Sequence, residues 1–136
     1  MTKFVVWLRD PLQRTISHYY FWKRSYNHGE TPDLHRRVVE ENWSLERFCF
    51  SPEMQNFYSQ FLWDFPVGNF DFIGLTENFD KDLKHFLRFL DIPNLGKVPQ
   101  LTTNPNANNY QVEPSFEKKF REFHSLDCHL YQTIVQ

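Results

Sequence analysis

The chain has 136 residues and a mass of 16.6 kDa, room for one domain whose core needs neither a metal nor a disulfide staple. Its apolar share is 40%, and Phe, Trp and Tyr are as numerous as Leu, Ile and Val together, which excludes a disordered chain. A formal net charge of −2 excludes a protein that coats nucleic acid.

The longest aliphatic and aromatic run, Phe4–Leu8, is far too short to cross a bilayer. The first residues lack the charged-then-apolar pattern of a secretory signal, so the chain reads as soluble. Cys49 and Cys128 lie far apart and outside any CxxC pair. They read as two buried thiols of a reducing compartment, which favours the cytoplasm. With no HxxxH and no Asp-rich loop, no metal is expected.

Charge is unevenly spread. Residues 1–37 carry seven basic side chains against three acidic ones, while the remainder is acidic. That distribution suits a site for one compact anion near the start of the chain.

In chain order, Lys3–Leu8 is apolar on both faces, as a strand buried in a parallel sheet must be. Asp10 is a good N-cap and Pro11 occupies the favoured first helical position. They predict a helix from Pro11 to about Ser25, with Leu12, Ile16, Tyr19 and Tyr20 inward. It ends at the turn chemistry of Asn27-His28-Gly29. Thr31-Pro32-Asp33 opens a second helix and Ser44–Phe48 a short helical turn. Ser51-Pro52-Glu53 leads another helix through Met54, Phe57, Phe61 and Leu62. After a loop at 65–69, Phe70–Leu75 is the second strand. Phe79, Leu83, Phe86, Leu87 and Leu90 then mark an amphipathic helix. Residues 92–114 form a long loop, and a single helix is expected from Ser115 to Thr133.

Strand, helix, strand, helix indicates an α/β fold: a few-stranded, partial P-loop-like parallel sheet with a majority of helices. Two strands apolar on both faces are too small a sheet to stand alone. The chain is therefore expected to form a single unit over 1–136, the latter part of a larger domain.

The chemistry falls at Leu8–Ser17. A strand end running into a helix N-terminus is where open α/β sheets bind ligands, and free amides there favour an anion. Arg9 can offer a phosphate two parallel N–H donors, and the Ser17 hydroxyl lies about two turns into the helix.

The segment FVVWLRDPLQRTISHYY resembles the 3'-phosphate-binding segment of the sulfotransferase family, carbohydrate and bacterial type, which uses 3'-phosphoadenosine-5'-phosphosulfate. SLERF, PEMQN and FDFIGLTENFDKDLKHFLRFLDI continue the likeness, with its strand, Gly-x-x-Glu and helix, over nearly the whole chain. The resemblance implies that Arg9 and Ser17 bind the 3'-phosphate. Arg14 braces the loop, pairs with Asp10, or reaches the phosphate. Asn104 lies in a loop near the cofactor or simply forms a turn. Glu77 is expected to accept backbone N–H bonds at the strand-to-helix turn. The aromatic residues Tyr19–Trp22 are expected in the core.

The family's 5'-phosphosulfate loop, Gly-rich and bearing Lys, has no counterpart in the sequence, and no catalytic base is assigned. Its absence also argues against a P-loop kinase. The implied activity is sulfuryl transfer to a hydroxyl acceptor, a glycan above all. This chain would hold the 3' side, with the rest supplied by an N-terminal segment or another chain. The alternative is a non-catalytic nucleotide-binding or interaction remnant that self-associates through its open sheet edge.

Overall fold

The structure, a computed structural model, describes residues 2–93 and 109–135. Strands β1 (Val5–Leu8) and β2 (Phe72–Leu75) accompany helices α1 (Pro11–Arg24), α2 (Asp33–Glu40), α3 (Leu45–Cys49), α4 (Phe57–Phe61), α5 (Phe79–Phe89), α6 (Pro114–Phe123) and α7 (Ser125–Val135). The fold is mostly helical with a small two-stranded parallel sheet, and so α/β-like. No helix among the described residues is long and apolar enough to cross a membrane.

Both strands are rich in β-branched and aromatic side chains, which suit the pleated surface. Their parallel register sets Val5 opposite Phe72 and Leu8 opposite Leu75. Parallel pairing demands a long crossover, which here runs through α1 to α4. Trp7 faces Gly74 and spreads its indole across that glycine to meet Phe72, Phe79 and Phe86, fastening α5 to the sheet. Pairing begins two residues later than the pattern of Phe70–Leu75 predicts. Asp71 instead closes the sheet end, accepting from the Phe4 amide at 2.8 Å while its own amide donates to the Phe4 carbonyl at 2.8 Å.

Helix α1 organises the interior. Leu12 and Ile16 join Cys49 and Phe120 in one buried cluster. Tyr19 joins Val38, Trp43, Phe48 and Met54 in another, with Trp22 packed against it. Tyr20, expected inward, instead lies at the surface against Tyr110, and Phe21 is half exposed. Cys49 and Cys128 are both buried, unpaired thiols.

Two expected helices are broken. Residues 52–62 divide into a 3-10 turn at Pro52–Met54 and α4, because Asn56 adopts a left-handed φ of 52°. The single last helix divides at His124 into α6 and α7. The two breaks face each other and exchange hydrogen bonds. His124 Nδ1 accepts the Asn56 amide at 3.1 Å, and the Asp127 amide donates to Asn56 Oδ1 at 3.1 Å. Each break frees polar groups that the other satisfies.

Candidate functional site

Local sequence builds the end of β1. Asp10 caps α1 by accepting the Leu12 amide at 3.1 Å, and Pro11 spends no N–H at the first helical position. The Asp10 carboxylate also receives both terminal nitrogens of Arg121, each at 3.1 Å. Arg121 arrives from α6, 111 residues away, and so fills the place in which Arg14 was expected. The anion preferred at this helix N-terminus is therefore already the protein's own, and its charge is matched.

β2 ends beside β1, and Glu77 follows it in a 3-10 turn. Glu77 Oε1 accepts the Asp10 amide at 2.7 Å, the backbone-accepting role that Gly-x-x-Glu implies. Tyr131 of α7 faces the same carboxylate, and burial first, then the nearby Glu77, push its phenol above its ordinary pKa. The two segments that carry the resemblance thus meet at the carboxyl ends of adjacent strands.

Arg9 lies half-buried at this junction, and its main-chain N–H donates to the Tyr58 hydroxyl at 2.9 Å. Ser17 is half-buried on a stripe of α1 that also holds Gln13 and Tyr20. The Gln13 amide exchanges two hydrogen bonds with the Tyr110 backbone, at 2.9 and 2.7 Å, and Tyr20 stacks on the Tyr110 ring at 5.7 Å. Tyr110 therefore reaches the helix on either side of Ser17. Asn104 lies outside the described residues.

Arg14 occupies a different stripe. Its guanidinium lies over the rings of Phe57 at 4.3 Å and Tyr58 at 5.0 Å, and Nη2 donates to Thr15 Oγ1 at 3.0 Å. Its buried Nε has no hydrogen-bond partner among the described residues. Burial lowers its pKa, with Tyr58 and Asp127 opposing. Arg14 thus braces α1 against α4, a role the sequence did not offer, while Asp10 is paired by Arg121.

One turn on, His18 packs edge-on against Trp22, Phe48 and Phe57. Burial, followed by the Arg14 charge, lowers its pKa from 6.5 to about 4. An unfolded His18 takes up its proton near pH 6.5 and the folded one only near 4. The unfolded chain thus binds more protons between those values, so the contribution is complete above 6.5 and lost as pH falls toward 4. His124, also lowered by burial, acts in the same direction. Between pH 7 and pH 4.5 the unfolding free energy from urea titrations should fall further for the native chain than for His18→Gln, by about 2 kcal/mol allowing for partial solvent screening. Equal falls would show that His18 does not titrate in this window.

Sequence reasoning missed Gln13, Tyr58, Arg121, His124 and Asp127. A signal existed for the last two. They sit on the same stripe as Phe116, Phe120 and Tyr131, where polar residues are out of place.

Arg9 stands at the end of β1, and Ser17 lies about two turns along α1, beside the segment that Tyr110 anchors. Comparison of the chain with protein-family models, curated proteins and solved structures gave no match.

Proposed function

We propose that this chain is the 3'-phosphate-binding part of a sulfotransferase, with Arg9 and Ser17 holding the 3'-phosphate of 3'-phosphoadenosine-5'-phosphosulfate. A hydroxyl of the acceptor, a glycan by resemblance, attacks sulfur. The bond from sulfur to the bridging oxygen breaks, and adenosine 3',5'-bisphosphate leaves. An upstream segment or another chain supplies the 5'-phosphosulfate loop and the base.

One observation carries the reading. The Arg-Asp-Pro and Gly-x-x-Glu segments are tied together by the bond from the Asp10 amide to Glu77, at the carboxyl edge of paired parallel strands. That edge is where open α/β sheets hold their ligands. Arg9 contributes by its planar, permanently charged fork, and Arg14 by fixing α1 rather than by touching the nucleotide.

Calorimetry with adenosine 3',5'-bisphosphate at low salt tests the reading. The unmutated chain should bind, and Arg9→Ala should bind roughly ten- to a hundredfold more weakly, the worth of a charged hydrogen bond of about 1.5–3 kcal/mol. Absence of binding by the unmutated chain would overturn it.

A second reading, a non-catalytic interaction module, is favoured by the exposure of Phe61 (74%) and Trp63 (82%). It expects a mass that rises with concentration in light scattering, and a compact monomer at high concentration counts against it.

A further inference from the structure

Arg9 stands between the last residue of β1 and the Asp10 cap of α1. Its main chain is held from 49 positions away: the Tyr58 hydroxyl accepts the Arg9 N–H at 2.9 Å. Tyr58 is buried (9% exposed), and its ring lies beneath the Arg14 guanidinium. Behind it, the Tyr58 amide donates to Asp127 at 2.9 Å, so the phenol is held at its root as well as over its face. Such shells keep a binding group within a fraction of an ångström of its working position.

We infer that Tyr58 is a positioning residue for the anion site, its hydroxyl setting the main chain from which the Arg9 side chain departs. This rests on the reading of Arg9 as the 3'-phosphate ligand. Without the hydroxyl, the Arg9 N–H loses its acceptor and the turn between β1 and α1 gains freedom. The guanidinium must then be ordered again on each binding event, at the expense of affinity.

Tyr58→Phe isolates the hydroxyl, since a phenyl ring still lies under Arg14. Two measurements on the full chain separate the inference from the reading beneath it. Amide hydrogen exchange at Arg9, which needs no ligand, should lose about tenfold or more of its protection in Tyr58→Phe, while Leu12 and Ile16 on α1 keep theirs. Affinity for adenosine 3',5'-bisphosphate should fall about three- to tenfold in Tyr58→Phe, the worth of one hydrogen bond. In the Arg9→Ala background the same change should leave affinity unaltered, a coupling that general loosening of the fold would not produce.

Unchanged Arg9 exchange overturns the inference whatever the nucleotide does. So does binding that Arg9→Ala weakens and Tyr58→Phe leaves intact, and in that outcome the reading of Arg9 stands. A chain that shows the exchange change but does not bind the nucleotide overturns both.

Discussion

Gly74→Ala should destabilise the chain by about 3 kcal/mol, the upper part of the range for overpacking a core. A β-carbon there would lie 2.6 Å from both Cδ2 and Cζ3 of Trp7, and closer still to Cε3. Side-chain motion cannot relieve this cheaply, because the indole is held by Phe72 at 6.0 Å, Phe79 at 5.5 Å and Phe86 at 6.0 Å. The substitution also restricts the unfolded chain, a gain of about 0.4–1 kcal/mol that is too small to offset the clash. Urea unfolding followed by tryptophan fluorescence gives the measurement. Trp7→Leu in the same chain should recover part of the loss, so the two changes together should cost less than their sum. A loss below about 1 kcal/mol for Gly74→Ala would mean that the indole can leave the glycine freely. The glycine of the Gly-x-x-Glu segment thus has a packing reason independent of any ligand.

The legible parts of this molecule are those decided by neighbouring residues. Asp10 and Pro11 announce the start of α1, and both act as their chemistry requires. The apolar run of β1 and the spacing of Phe79, Leu83 and Phe86 are likewise local signals; the helix stands where they point, while the strand begins at Val5, two residues later than expected, and buries only Leu8. The illegible parts are decided across the chain. Helical periodicity runs unbroken through 115–133, yet α6 and α7 separate at His124. There the ring accepts from Asn56 and its Nε2 meets the Cys49 carbonyl at 2.7 Å. No window of sequence around His124 contains Asn56 or Cys49. Arg14 and Arg121 show the same limit: proximity favoured Arg14 as the partner of Asp10, and folding brought Arg121. Gln13 reads as an ordinary surface residue until Tyr110 docks on it. For the candidate site, Arg9, Ser17 and Glu77 were visible as residue types in order, whereas what holds them was not.

Asp127→Ala should be among the most damaging single changes, costing about 3–5 kcal/mol as expected when one side of a buried charged network is removed. Asp127 is completely buried, and its carboxylate accepts three donors: the amides of Tyr58 at 2.9 Å and Ser59 at 2.8 Å, and the Ser59 hydroxyl at 2.8 Å. Helix α4 is five residues long, and its own N-cap, Asn56, makes no side-chain cap bond. Asp127 therefore caps α4 from α7 and places a carboxylate at its N-terminus, where the first amides would otherwise be orphaned. Alanine removes that acceptor in a place water does not reach, and each orphaned donor costs about 1–3 kcal/mol. Asn at this position keeps one acceptor oxygen while its NH2 faces a donor, so Asp127→Asn should lose roughly half as much. Denaturant unfolding at pH 7 ranks the three chains, and Asp127→Ala equal to the native chain would refute the cap. The consequence reaches the candidate site: α4 carries Tyr58, and Tyr58 carries Arg9. At a denaturant concentration where Asp127→Asn remains folded, its Arg9 amide should already exchange faster than in the native chain, before the core amides of α1 do.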